Sequence, residues 1–181
     1  DAGAGPARRD AFEQFADETV AQTVGNIIDA AGIDARRLEF ELTETAIMSN
    51  VEDIERCMQI IREIGPTFSL DDFGTGYSSF AHIQRLPIGA LKIDRGFVQN
   101  VPTTHDDATI VKAMISLAHN LGLKVIAEGA ETGEQVDFLR EHACDQVQGY
   151  FFSRPLPFVE LLDRMQRTFM PAALAASTIT V

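Results

Sequence analysis

The chain has 181 residues, 45% of them hydrophobic and 23% charged, which suits one folded domain with a substantial core. Its 27 Asp and Glu against 15 Lys and Arg leave a net charge of −12 and exclude a basic face that grips a nucleic acid polymer through its phosphates. The longest uncharged stretch, residues 168–181, is too short and too rich in Ser and Thr to span a membrane, and residues 1–10 hold no signal-peptide core, so a cytoplasmic protein is expected.

Residues 1–15, DAGAGPARRDAFEQF, are small, charged and aperiodic and read as a poorly ordered lead-in. From there an amphipathic helix, a glycine and a short apolar strand alternate. Asp17 can cap a helix over 17–31 whose apolar face is Val20, Val24, Ile27 and Ile28, and Gly32 ends it. The strand LEFEL follows at 38–42. Asn50 caps a helix with Val51, Ile54, Met58 and Ile61 on one face, ended by Gly65-Pro66. The strands TFSL (67–70) and ALKI (90–93) come next. Asp106 opens a helix with Ile110, Met114, Leu117 and Leu121 at helical spacing, closed by Gly122 before the strand KVIA at 124–127. Thr132 and Gln135 make a capping box for another helix. The strand QVQGYFF (146–152) and a last helix over 157–169 complete the folded part, and 170–181 reads as a tail. Cys57 and Cys144 form no spaced metal motif and read as buried thiols of a reducing compartment. Five short apolar strands joined by helices imply an α/β fold with a parallel sheet covered on both faces.

The polar residues gather where the strands end. Strand one ends in Glu41 and Glu44, strand two in Asp71-Asp72, and strand three carries Lys92 and Asp94. Strand four ends in Glu128 and Glu131, and strand five carries Gln148. In parallel α/β folds the carboxyl ends of the strands form the active-site face, so seven carboxylates and one ammonium should converge on one mouth. Such a cluster needs raised pKa values or a counter-cation. Oxygen donors without His or Cys point to Mg²⁺ or Mn²⁺, and the adjacent acids Asp71-Asp72 suit a bridged two-metal site of the kind that serves phosphodiester chemistry. Against this stands the plainer fact that a single acid after a strand is more often a helix N-cap, as Asp72 could be, and that Lys92 beside Asp94 could be a simple ion pair. The histidines His82, His105, His119 and His142 read as surface or core residues. The loop FGTGYSS (73–79) lacks phosphate-loop spacing with its Lys but can move, hinged at Gly74 and Gly76.

The segments FELTE, SLDDFGTGYSS, LKIDRGFV, VIAEGAET and QGYFFSRPLP, in this order, resemble the EAL-domain family of cyclic di-GMP phosphodiesterases over residues 15–162. The resemblance implies a (β/α)₈ TIM-type barrel that hydrolyses cyclic di-GMP to linear pGpG with two Mg²⁺ or Mn²⁺ ions. It implies that Glu41 holds one metal, that Asp71 bridges both, and that Asp72 and Glu128 hold the second. Glu128 would also be the general base on the attacking water, and Lys92 would orient that water or the phosphate. Glu44 would anchor the FGTGYSS loop. Glu131 and Gln148 would support the ligands and the pocket, and Asp94, Thr75, Gly76 and Arg154 the loop or substrate. It further implies an upstream signalling domain and a homodimer contact through 80–86.

The sequence also departs from the family. Its signature Glu-Ala-Leu, whose Glu is a metal ligand, is not among these residues. Aligned on Gln14-Phe15, Arg9 stands where the family has an Asn and Ala11 where it has a Ser. The expectation is therefore a partial barrel over 16–169 with its first strands absent, at most one ion, and no turnover by the 181 residues alone. The alternative is a degenerate, non-catalytic module that binds cyclic di-GMP or a protein partner in signalling. A doubly wound phospho-acceptor domain is a third reading, because it too sets acids and a Lys at strand ends.

Overall fold

Apolar residues repeating every three or four positions, broken by glycines, are what set the helices of this chain against its strands. The structure, a computed structural model, describes residues 18–48, 51–75 and 80–169. The lead-in, Arg9, Ala11, Asp17, Asn50, Gly76 and the tail lie outside the described residues. Helix α1 (Glu18–Ala31) and a single 3-10 turn (Ala35–Arg37) lead to strand β1 (Glu39–Thr43). Helices α2 (Glu44–Met48) and α3 (Val51–Ile64) precede β2 (Thr67–Phe73), and α4 (Phe80–Ile83) precedes β3 (Ala90–Ile93). Then come α5 (Arg95–Val98), α6 (His105–Asn120), β4 (Lys124–Ala127), α7 (Gly133–Glu141), β5 (Gln146–Val147) and α8 (Phe158–Phe169). Among the described residues no helix is long and apolar enough to cross a membrane.

The five strands form one parallel sheet in the order β1-β2-β3-β4-β5. Each strand lies beside the one before it, as in a barrel. A doubly wound sheet reverses direction at a switch point, so this order overturns the phospho-acceptor reading. Helix α3 buries Ile54, Cys57, Met58 and Ile61 against the sheet, where Phe68, Leu70, Leu91 and Ile93 form the centre of the core. Burying one such side chain is worth about 1.5–3 kcal/mol. Cys57 is buried and Cys144 half-buried.

Two elements differ from the sequence reading. In α6 the buried residues are Ala108, Val111, Met114, Ile115 and Ala118, while Ile110 is 39% exposed. The small residues Ala108 and Ala118 let the helix lie closer to the sheet, which rotates the buried stripe by one position from the one that bulk alone suggests. Strand β5 ends at Val147 instead of running to 152. Gln148 still donates its N–H to Ala127 O at 2.8 Å, but Ala130 N–H then donates to Gln148 O and Phe151 N–H to Ala130 O. The chain leaves the ladder to wrap around Ala130, so closely that a Cβ on Gly149 would lie 2.1 Å from Ala130 O.

Candidate functional site: carboxylates around a buried lysine

All four residues of β3 are buried, and the only charged one among them is Lys92, whose side chain is 6% exposed. A buried ammonium costs several kcal/mol unless partners replace its water. Three do. Its Nζ lies 2.7 Å from Glu41 Oε1, 2.7 Å from Glu128 Oε1 and 3.1 Å from Asp71 Oδ1. Burial pushes the ammonium down, but the contacts with Glu128, Glu41 and Asp71 outweigh it and hold Lys92 above the ordinary lysine value.

The sheet explains the meeting. Glu41 pairs in register with Ser69, Ser69 with Ala90, and Lys92 with Ile126. Side chains two residues apart on a strand share a face, so Glu41, Ser69, Asp71, Lys92 and Glu128 fall on one face of four neighbouring strands. The register of β2 slips between Leu70 and Phe73, and Asp72 there has a left-handed φ of 54°. This bulge breaks the strict alternation at the Asp71-Asp72 pair.

The other predicted residues are placed as follows. Glu44 is 2% exposed, and its Oε2 accepts the Gly74 N–H at 3.2 Å, at the start of the FGTGYSS loop. Gly74 has φ +97°, and a Cβ on it would meet Met114 Cε at 2.3 Å, so only glycine suits that position. Thr75 Oγ1 donates to Asp72 O at 2.8 Å. Asp94 caps α5 by accepting the Gly96 N–H at 2.8 Å, and the partners of Lys92 are Glu41, Asp71 and Glu128, which corrects the simple Lys92–Asp94 pair. Glu131 pairs with Arg95 Nη2 at 2.7 Å. Gln148 enters through its backbone bonds, and the Arg154 guanidinium stacks on the Tyr150 ring at 4.6 Å. Sequence reasoning does not single out Arg95 or Gln99, and it sees Gln135 only as a capping residue. The one signal for more was the glycine at 129, next to a candidate base.

Three carboxylates around one ammonium leave a net charge of −2, in an all-oxygen donor set that suits a hard divalent cation. Among the described residues, the buried Ser69 Oγ on this face has no hydrogen-bond partner, and the buried Asp71 Oδ1 has only its contact with the ammonium. The donors therefore fit a cation. Among the described residues no three acids, His or Cys already form a cage for one, because the acids stand around Lys92 at hydrogen-bonding distance.

A family model described as the EAL domain matches residues 8–155. The chain belongs to the EAL domain family. It is 47% identical over 143 residues to the cyclic di-GMP phosphodiesterase NbdA of Pseudomonas aeruginosa, covering 79% of this chain and 18% of that protein. It is 40% identical over 147 residues to the oxygen sensor protein DosP of Escherichia coli, covering 81% and 18% respectively. The chain thus spans about a fifth of the length of these curated relatives. Among solved structures it superposes on the PaMucR phosphodiesterase in complex with c-di-GMP with a TM-score of 0.78 at 37% identity, covering 83% of this chain and 61% of that one. On the EAL domain of Mycobacterium smegmatis DcpA the TM-score is 0.77 at 32% identity, covering 83% and 68%. The EAL structures are TIM-type barrels, and the sequential five-stranded sheet is an arc of that fold.

Proposed function

We propose that this EAL domain belongs to a metal-dependent phosphodiesterase that opens cyclic di-GMP to linear pGpG. The observation that carries the reading is the convergence of Glu41, Asp71 and Glu128 on Lys92 at the carboxyl ends of adjacent parallel strands. Glu41, Asp71, Asp72 and Glu128 would hold Mg²⁺ or Mn²⁺, which when bound acidifies water and draws charge from a phosphoryl group. Glu128 accepts the proton of the attacking water as that oxygen bonds to phosphorus and the ester oxygen leaves. Lys92, held charged by its acids, orients the water or a phosphoryl oxygen and offsets the negative charge that develops there. Glu44 keeps the loop after β2 in place through the Gly74 N–H.

The test uses the full-length protein that carries this chain, with cyclic di-GMP and Mg²⁺ or Mn²⁺, and follows pGpG by chromatography. Glu128→Gln should lower turnover at least ~10²-fold, the ordinary worth of a general base. A Glu128→Gln protein with full activity would overturn the mechanism. A second reading, binding of cyclic di-GMP without turnover, draws on the acids' engagement with Lys92 instead of a ready metal cage among the described residues. Saturable binding with no pGpG from the wild-type protein would select it.

A further inference from the structure

Glu128 sits where the chain leaves β4, its N–H donating to Ile93 O at 3.1 Å. The next residue, Gly129, has φ +73°, and a Cβ there would lie 2.3 Å from Arg95 Cγ, 2.7 Å from Arg95 Cβ and 2.9 Å from Arg95 Cδ. The aliphatic stem of Arg95 therefore lies on the bare backbone of Gly129. Its guanidinium reaches onward to two partners. Nη2 is 2.7 Å from Glu131 Oε1, and with the Gln99 amide turned to satisfy its neighbours, the Gln99 side-chain oxygen accepts from Arg95 Nε and Nη2 at 2.6 Å. Gln135, only 6% exposed, closes the circuit. Its Nε2 donates to Gln99 O at 2.9 Å, and its Oε1 accepts the N–H groups of Glu131 at 2.6 Å and Thr132 at 3.0 Å. A ring through Arg95, Glu131, Gln135 and Gln99 thus ties the segment after β3 to the segment after β4, and Glu128 begins the second of these.

We propose that Arg95 is a positioning residue for Glu128. By covering Gly129 and bridging Glu131 to Gln99 it fixes the turn out of β4 and aims the Glu128 carboxylate at Lys92. The geometry stands alone, and the effect on the reaction rests on the phosphodiesterase reading. The side chains of Arg95 and Glu131 are 51% and 41% exposed, so their pairing adds little to stability. Placement matters more, because a displacement of ~1 Å in a reacting group can cost ~10²-fold in rate.

The full-length protein is compared with Arg95→Met, which keeps most of the stem, with Arg95→Lys, which keeps the stem and one donor, and with Gly129→Ala, which pushes the stem away. Arg95→Met should lower kcat for cyclic di-GMP about 10- to 100-fold with KM within about threefold. Its melting temperature should stay within about 2 °C of wild type, and Arg95→Lys should recover part of the rate. In the metal-free protein, amide exchange over 128–132 should quicken about tenfold or more in Arg95→Met while exchange in β3 and α6 stays unchanged. Gly129→Ala, if it folds, should reproduce both effects. If the wild-type protein turns over no cyclic di-GMP, the phosphodiesterase reading fails and the exchange measurement decides the clamp alone. Unchanged exchange over 128–132 in Arg95→Met, or an unchanged kcat in an active protein, overturns the positioning role.

Discussion

Replacing Lys92 by Met removes one charge and keeps most of the stem, so it isolates what the ammonium does for its three acids. Each contact at 2.7–3.1 Å is worth about 5–6 kcal/mol gross at an effective dielectric of about 20. Most of that is offset by the desolvation of the ammonium, and the contact with Glu41 is further screened because that side chain is 53% exposed. Asp71 and Glu128, at 21% and 23%, would be left as like charges with little water. Breaking a buried pair in this way costs about 3–5 kcal/mol. At about 2–4 °C per kcal/mol for a chain of this size, Lys92→Met should melt about 6–20 °C below wild type. The assay is thermal unfolding of the 181-residue chain by circular dichroism in EDTA, at matched protein concentration. Mg²⁺ or Mn²⁺ should then raise the melting temperature of the variant more than that of wild type, because a cation takes over neutralisation of the same acids. A Lys92→Met protein that melts within about 2 °C of wild type in EDTA would refute the view that the ammonium holds this cluster together.

Asp145 is held below the usual carboxylate range by its hydrogen bond with His119 at 2.9 Å and by the Val125 N–H at 2.8 Å. Its stabilising effect is present above the unfolded aspartate value and is lost as pH falls through the lower folded value. Melting curves across the acid range should therefore be less steep in Asp145→Asn than in wild type. Gly149→Ala would set a Cβ 2.1 Å from Ala130 O, so urea unfolding should show a loss of about 1–3 kcal/mol or more. Glu44→Ala leaves the Gly74 N–H without its acceptor and should lower cyclic di-GMP turnover through the loop, while a calorimetric Mn²⁺ titration changes less. Strands β1 and β5 are the edges of the described sheet, and Tyr150, Phe151, Phe152, Phe158 and Val159 are exposed, so sedimentation of the 181-residue chain at micromolar concentration should show self-association.

Local order was legible in the sequence wherever the determinant is itself local. ALKI and KVIA are strands over the residues expected, because short apolar runs between breakers have no other stable use. The Thr132–Gln135 capping box forms as its spacing requires. The family motifs, too, are local strings. What needed the tertiary structure is what depends on residues far apart in the chain. Asp71 and Asp94 both follow apolar runs, yet one meets Lys92 and the other caps α5. The difference lies in where the chain turns next and which strand stands alongside. The short helices α2, α4 and α5 are four or five residues long, too few to show a period. Strand β5 stops at Val147 because the Ala130 backbone claims the hydrogen bonds that would have extended it. Strand order, and with it the choice between a barrel arc and a doubly wound sheet, is set by packing between neighbouring βα units, which no single segment encodes. The meeting of Glu41, Asp71 and Glu128 on one ammonium follows from that order. Acids 87 residues apart along the chain become partners only when four parallel strands bring their ends to one face.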